Sequence, residues 1–300
     1  MTTEISTVDL IIVVVYIGCI FAVGIYAYIV ARNEKTKNKA EQYFLASRDT
    51  TWIPVAFTIF SSNIGAEHFV GLAGTAANTG IAVGVYELNA PFILFLLAFC
   101  ISKIYIKSKV TTTPEYLELR FNRIIRVYNA CLMLFLFIFT EIAGTVYAGG
   151  IILEVILGWN IFLSSIILIL ITGLYVILGG LRAVIYTENI QAVILIIGGL
   201  IVTFTSLHKI GGFKGLRDHY KETNNMSMAR PANDPDWPWP CVYITILLQS
   251  YYYWTCNQDL VQRVLSSKTQ LHATYGAVFA ATLKLLPIFM MVVPGMVSSA

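Results

Sequence analysis

Long apolar runs are the feature of this sequence that most limits what it can fold into. A helix needs about 20 mostly apolar residues to cross a bilayer. Runs of roughly that length follow one another along the chain, at residues 8–31, 52–77, 81–106, 125–156, 161–180, 186–207, 241–261 and 274–300. Charged residues make up only 12% of the chain, whereas soluble domains carry roughly 25%. The sequence therefore predicts an all-α polytopic membrane protein and excludes a soluble enzyme or a disordered chain.

The distribution of lysine and arginine predicts how these helices are oriented. Most of the 20 basic residues follow the first, third, fifth and seventh runs, and cytoplasmic connections are the ones enriched in Lys and Arg. The connection 208–240 is also basic, but acidic residues offset its charge and long loops count little in this rule. We therefore expect the N-terminus and this loop to lie outside. Asn225-Met226-Ser227 in the loop is an N-glycosylation sequon, which predicts a glycoprotein.

Ionisable residues inside the predicted spans need an explanation, because a charge at mid-bilayer costs at least about 2.5–3.5 kcal/mol. The residues concerned are Glu67, His68, Glu87, Glu141, Glu154 and Lys284. For Glu154 a position at the water boundary is the simpler interpretation, and for Glu141 an interhelical hydrogen bond and a functional role stay equally open. Glu87 and Lys284 lie inside their spans with opposite charge, which is compatible with both residues lining one polar cavity.

Small and polar residues interrupt the second run at positions 61–68. One interpretation is a broken helix, whose freed backbone carbonyls are tolerated where they line a cavity or bind an ion. Oxygen ligands of this kind suit Na⁺. The other interpretation is a continuous helix with small residues at a packing seam. The segment alone leaves both open.

The seventh run carries a polar and aromatic stretch from Ser250 to Gln258. Aromatic side chains with polar tips are good platforms for a sugar ring. Four consecutive aromatic residues cover every side of a helix, however, so we expect at least two of them to face lipid or headgroups. The sequence contains no HExxH, GxSxG, P-loop or CxxC pattern, and a net charge of +3 is too small to indicate nucleic-acid binding. An enzyme is therefore not predicted.

Several different short motifs follow one another along nearly the whole chain. They include Tyr43-Phe44-Leu45-Ala46, Ser62-Asn63-Ile64-Gly65, His68-Phe69-Val70-Gly71, Gly179-Gly180-Leu181-Arg182, Val261-Gln262-Arg263 and Leu283-Lys284-Leu285. Together they resemble the solute:sodium symporter family and, within it, the sodium/glucose cotransporter branch. The family's fold implies two inverted five-helix repeats after one extra helix. On that pattern the chain divides into the extra helix at 1–31, the first repeat at 32–207, an extracellular loop at 208–240 and the start of the second repeat at 241–300.

The resemblance also implies roles for individual residues in Na⁺-coupled symport of a sugar or polyol by alternating access. Ser61 and Ile64 match positions whose backbone carbonyls bind the coupling Na⁺. Tyr253 matches the aromatic residue that stacks on the sugar and closes the inner side, while Leu72 and Tyr86 match outer-gate positions. Sugar-site positions match Asn63, His68, Glu87, Ser250, Trp254 and Lys284. The implied partners are the solute, Na⁺ and the lipid bilayer of a plasma membrane, with no cofactor and no nucleic acid.

Two departures from the family pattern limit these expectations. Leu88 stands where glucose transporters usually carry Trp, so the identity of the sugar stays open. Family members continue through several more helices, one of which completes the Na⁺ site, so the sequence is expected to be an N-terminal fragment that ends after about eight transmembrane helices. Two other functions stay open: a sodium-gated sugar sensor that passes current without accumulating solute, and a truncated, non-transporting partner of a complete transporter.

Overall fold

The computed structural model describes residues 7–33, 38–221 and 224–300. Lys35 and Lys37, which contribute to the predicted orientation, lie outside the described residues, as do positions 1–6 of the predicted extra helix. The described chain is helical almost throughout, and its only strand-like pairing consists of isolated bridges such as Thr50–Ser267. This architecture agrees with the predicted all-α class.

Fifteen α-helices build the described part of the chain. The first nine are α1 (Thr7–Asn33), α2 (Lys39–Leu45), α3 (Trp52–Ser62), α4 (Ala73–Thr79), α5 (Val85–Leu96), α6 (Ser102–Ser108), α7 (Thr113–Arg120), α8 (Arg123–Leu136) and α9 (Ala143–Leu157). The other six are α10 (Ile161–Lys209), α11 (Gly212–His219), α12 (Trp239–Cys256), α13 (Gln258–Leu265), α14 (Gln270–Leu283) and α15 (Val293–Ser298). Four π-helical turns precede α4, α6, α9 and α15, at His68–Leu72, Leu97–Ile101, Phe137–Ile142 and Ile288–Val292.

Five helical segments of the described chain are long and apolar enough to cross a bilayer. They are Ile11–Val30, His68–Ser108, Arg123–Leu157, Ile161–Lys209 and Gln270–Ser298. The eight predicted runs are more numerous because helices on either side of a bend merge into one segment, and because two runs are divided by breaks in the backbone. The chain is thus an integral membrane protein with several membrane-spanning helices.

Gly180 marks the bend between the predicted fifth and sixth runs. Its backbone angles, φ 58° and ψ −159°, are not helical, so α10 consists of two helices that meet at a kink at this residue. A β-carbon at this position would lie 2.8 Å from the Tyr43 carbonyl oxygen. Glycine is therefore required here both for its backbone angle and for the close approach of another segment.

The second and seventh runs are both broken. Helix α3 ends at Ser62, and residues 63–65 are not helical before the helix resumes at Ala66. Helix α12 ends at Cys256, where Asn257 has the extended angles φ −62° and ψ 127°, and α13 begins at Gln258. Of the two interpretations of the polar segment in the second run, the broken helix is correct. Helix α12 is not among the five apolar segments, since it carries Gln249, Ser250 and several tyrosines.

Small residues let the helices around the two breaks approach closely. Helix α14 packs against α3 and α5, and α12 packs against α5. A β-carbon at Gly276 of α14 would come within 2.6 Å of Val55 in α3, and Ala273, Ala277 and Ala280 are fully buried. Because lipid is as apolar as the helix surface, such close backbone packing is a main source of helix association in membranes. This packing of α3, α12 and α14 places the breaks after α3 and after α12 next to α5 and the end of α14.

Candidate functional site

A cavity of about 580 Å³ lies where the break in the second run meets α5, α12 and the end of α14. Its wall includes all nine residues that the sequence predicts for a solute site or a gate. They are Asn63, His68, Leu72, Tyr86, Glu87, Ser250, Tyr253, Trp254 and Lys284. Residues that are more than 200 positions apart in the sequence thus meet in one polar space inside the membrane-spanning region.

Lys284 is the charged centre of this cavity. It follows the last residue of α14, and its side chain is 1% exposed. The ammonium Nζ lies 2.5 Å from Glu87 Oε2, donates a hydrogen bond to Asn63 Oδ1, and lies 5.5 Å from the centre of the Trp254 ring. A buried ammonium is stable only with such partners. The expectation that Glu87 and Lys284 line one cavity is met, and the two also form a direct ion pair.

Glu87 and His68 extend this polar cluster. Glu87 lies near the start of α5 and is 4% exposed. His68 Nε2 lies 3.8 Å from Glu87 Oε1, while its Nδ1 faces the Gly65 N–H at 3.4 Å. Asn63, one residue beyond the end of α3, points its amide oxygen at Lys284. The cluster therefore offers an ammonium donor, a carboxylate acceptor, an amide with both functions and an imidazole.

The four consecutive aromatic residues of α12 differ in exposure. Tyr251 and Tyr252 are 46% and 42% exposed, and their contact with lipid or headgroups remains a prediction. Trp254 is buried, and its ring meets that of Tyr253 nearly at right angles, with 5.2 Å between the centroids. Both rings line the cavity beside Ser250. Apolar faces next to polar groups are the surfaces that a sugar ring or a cyclitol needs.

The predicted gate residue Tyr86 meets a side chain that the sequence did not identify. Trp237, from the loop between α11 and α12, contacts Tyr86 edge to face with 6.1 Å between ring centroids. Asp234 Oδ1 accepts a hydrogen bond of 2.8 Å from the backbone N–H of Trp237, and this bond lowers the pKa of Asp234 below its usual range. The sequence feature that could have identified Trp237 is the run Trp237-Pro238-Trp239-Pro240. A rigid aromatic segment in a polar loop is suited to packing against another part of the protein.

The same loop is anchored through Arg230, which is 7% exposed. Arg230 donates hydrogen bonds to the Thr79 carbonyl and, at 2.9 Å, to Asn225 Oδ1. Gly80 has φ 77°, and a β-carbon there would collide with the backbone of Asn225. Asn225, the acceptor residue of the predicted glycosylation sequon, is therefore packed against the protein. The arrangement gives no support to a glycan at this position.

Ser61 and Ile64, the residues predicted to bind Na⁺, lie beside the cavity but do not line it. Each is 9% exposed. The Ser61 carbonyl accepts hydrogen bonds from the N–H groups of Asn63 and Ile64, the latter at 3.0 Å. The helix break thus brings the Ser61 carbonyl out of the regular helical pattern. The assignment of Ser61 and Ile64 to Na⁺ remains a prediction.

Three further carboxylates line the cavity. Glu67 and Glu141 belong to the polar residues identified within the spans, whereas Asp259 had no role in the sequence analysis. Glu141 Oε1 accepts a hydrogen bond of 3.0 Å from the Asn257 side chain, so it contacts the break in the seventh run. The sequence feature that could have identified Asp259 as a lining residue is its position in α13, two residues beyond that break. Within the described residues, no group of three or more His, Cys, Asp or Glu side chains is arranged to hold a metal ion.

A buried ion cluster holds α13 against α10. Arg263 is 4% exposed, and it binds Glu188 through two nitrogens at 2.6 and 3.2 Å and Asp259 at 2.6 Å. Gln258 Oε1, at the start of α13, accepts hydrogen bonds of 2.7 Å from the Thr113 N–H and hydroxyl. Asp259 also lines the cavity, so this ion cluster lies directly behind the α13 side of the cavity wall. A guanidinium that contacts a carboxylate through two nitrogens binds it more strongly than a single neutral hydrogen bond would.

Curated proteins similar to this chain are sodium-coupled cotransporters. The human sodium/myo-inositol cotransporter 2 is 40% identical over an alignment that covers 97% of this chain and 45% of that protein. The human sodium/myo-inositol cotransporter is 39% identical over 99% of this chain, and the mouse sodium/glucose cotransporter 4 is 38% identical over 98% of it. In both cases 45% of the relative is covered. The chain therefore spans about half the length of the curated relatives that it matches.

A solved structure matches the fold of this chain, and a family profile matches its sequence. The fold matches that of a Na⁺-coupled sialic acid symporter in its substrate-bound outward-open state, with a TM-score of 0.84 at 21% identity, over 97% of this chain and 60% of the other. This likeness confirms the predicted transporter fold. The profile of the sodium:solute symporter family matches residues 43–300. The chain belongs to the sodium:solute symporter family, a family of transporters, and within it to the branch of the sodium/glucose and sodium/myo-inositol cotransporters.

Proposed function

We propose that the protein containing this chain couples inward Na⁺ movement to uptake of a neutral sugar or polyol. The observation that carries this proposal is the cluster of Asn63, Glu87 and Lys284 at the broken helix, in a cavity of about 580 Å³. Cavities of a few hundred Å³ with few convergent polar groups are typical small-molecule sites. The names of the relatives, which include myo-inositol and glucose cotransporters, support the same class of solute.

The proposed chemistry of recognition follows from the donors and acceptors of the cluster. A polyol hydroxyl both donates and accepts a hydrogen bond, so it needs complementary groups on both sides. Lys284 donates, Glu87 accepts, and Asn63 does both. Ser250 adds a hydroxyl, His68 adds a ring nitrogen, and the rings of Tyr253 and Trp254 pack on the C–H face of the solute. We propose Leu72 and Tyr86 as the outer gate, with Trp237 packed on Tyr86.

Sodium coupling is proposed to act through the break after α3. The carbonyls of Ser61 and Ile64 lie next to Asn63, so a cation bound there would fix the position of the Asn63 side chain in the cavity. Binding of Na⁺ would then favour the state in which the solute cluster is assembled, and the solute would strengthen Na⁺ binding by the same factor.

The remaining assignments are proposals of the same kind. We propose the plasma membrane as the location, with the N-terminus and the 208–240 loop outside, so that the cavity opens towards the loop in its outward state. We also propose the division into an extra helix at 1–31, a first repeat at 32–207 and a second repeat that begins at 241. Breaks in the second and seventh runs support this division, since inverted repeats place discontinuous helices at equivalent positions.

Uptake of radiolabelled myo-inositol and of a non-metabolised glucose analogue, in Na⁺ and in choline medium, tests the proposal. The complete coding sequence should give Na⁺-dependent accumulation that Glu87→Gln and Lys284→Ala abolish. Glu154→Gln is the matched control, because Glu154 is exposed and does not line the cavity. Uptake that is equal in both media would refute the proposal. Solute-induced current without accumulation would instead identify the sodium-gated sensor.

A further inference from the structure

The cavity carries a surplus of negative charge. Four carboxylates line it, those of Glu67, Glu87, Glu141 and Asp259, and Lys284 is the one lysine or arginine among the described residues of the lining. The Lys284 ammonium forms an ion pair with the Glu87 carboxylate, with 2.5 Å between Nζ and Oε2. This pair contributes no net charge to the space that a solute would enter.

Asp259 is only partly neutralised. Its carboxylate lies 2.6 Å from Arg263, and the same guanidinium also binds Glu188 at 2.6 Å. One positive charge therefore serves two carboxylates. Of these two carboxylates, only that of Asp259 lines the cavity.

Glu67 and Glu141 have no lysine or arginine partner among the residues that the structure describes. Glu141 accepts a hydrogen bond from the neutral amide of Asn257 at 3.0 Å. Glu67 lies 3.4 Å from His68 Nδ1, but that nitrogen faces the Gly65 N–H at the same distance and accepts a bond from it if the imidazole is neutral. Even a protonated His68 would leave the lining negative.

From this arrangement we infer that Glu67 and Glu141 determine the charge selectivity of the cavity. The inference rests on the proposed function and deepens it. In a confined space walled by protein, the field of fixed charges is focused and weakly screened. A uronate or another anionic solute is repelled by the two carboxylates, a neutral sugar or polyol is not, and a solute with an ammonium group is attracted.

Direct binding of matched probes tests this selectivity. D-glucose, D-glucosamine and D-glucuronate share one carbon skeleton and differ in charge, and myo-inositol serves as a second neutral probe. Binding is measured by isothermal titration to the full-length protein in nanodiscs, in the presence of Na⁺. We expect D-glucuronate to bind at least about tenfold more weakly than D-glucose, given the strength of charge interactions at an effective dielectric near 20.

The Glu67→Gln/Glu141→Gln double variant separates a field effect from a steric one. Glutamine keeps the size and, at Glu141, the oxygen that accepts from Asn257, so the fold should be retained. The variant should bring the affinity of D-glucuronate to within a few-fold of that for D-glucose, and the ratio of the two affinities is the readout. Glu154→Gln, which removes an exposed carboxylate outside the cavity, should leave the ratio unchanged.

The outcomes are distinguishable. If wild-type protein binds D-glucuronate as tightly as D-glucose, or if the double variant leaves the ratio unchanged, the charge selectivity assigned to Glu67 and Glu141 is wrong, whereas the proposed function stands. If none of the four probes binds, the proposed function fails, and this inference fails with it.

Discussion

Removing one member of the Glu87–Lys284 pair should destabilise the protein more than removing both. The two side chains are 5% and 1% exposed, and Lys284 Nζ lies 2.5 Å from Glu87 Oε2. Two unit charges about 4 Å apart attract each other by about 4 kcal/mol at an effective dielectric of 20. Loss of one partner of a buried pair costs about 3–5 kcal/mol, because the remaining charge stays buried and unpaired.

We therefore expect Lys284→Met to lower the free energy of unfolding by about 3–5 kcal/mol, and Glu87→Gln to have an effect of similar size. The Lys284→Met/Glu87→Gln double variant should lose less than either single variant, because it leaves no unpaired charge. Unfolding of the detergent-solubilised protein by increasing mole fractions of dodecyl sulfate, followed by circular dichroism, measures these differences.

The exposed Lys268–Asp49 pair is the matched control. Its atoms lie 3.2 Å apart, but the side chains are 57% and 65% exposed. Neutralising either residue should change stability by less than about 1 kcal/mol. If the effects of the Lys284 and Glu87 substitutions simply add in the double variant, the two residues do not interact, and the description of the cavity as a coupled polar cluster is wrong.

Three further predictions concern closure of the cavity and the bend in α10. Arg263→Lys keeps the charge but loses the two-nitrogen contact with Glu188, so Cys256 should react faster with a permeant maleimide; an unchanged labelling rate would show that this contact does not hold the cavity closed. Trp237→Ala removes the ring that packs on Tyr86, and stopped-flow measurements should show solute dissociating several-fold faster, whereas an equal rate would exclude a role in gating. Gly180→Ala places a β-carbon at φ 58° and should cost at least about 1–2 kcal/mol, seen as a lower thermal midpoint than that of Gly173→Ala within the same helix.

The sequence was sufficient to predict the membrane class, the family and the presence of Glu87 and Lys284 in one cavity. Apolar runs of about 20 residues and a deficit of charge leave few alternatives to membrane helices. Ionisable residues within such runs require partners, which is why Glu87 and Lys284 were expected to share one cavity. Their direct contact required the fold, because 197 positions separate them in the chain and periodicity carries no information on such pairings.

Other features were not accessible from the sequence. The break in the second run was one of two equal interpretations, since small residues suit a packing seam as well as an unwound segment. The contact of Trp237 with Tyr86 depends on how a polar loop folds back, and the anchoring of that loop by Arg230 has no local pattern in the sequence.

The reciprocal effect of Na⁺ and solute on each other's binding tests the central claim most directly. The affinity of the purified full-length protein for myo-inositol and D-glucose should be measured by isothermal titration in Na⁺ and in choline. If the helix break couples a cation to the Asn63–Glu87–Lys284 cluster, Na⁺ should strengthen binding of at least one of these solutes by about 5–150-fold, the usual range of coupling between sites. Equal affinity in the two media would contradict the account.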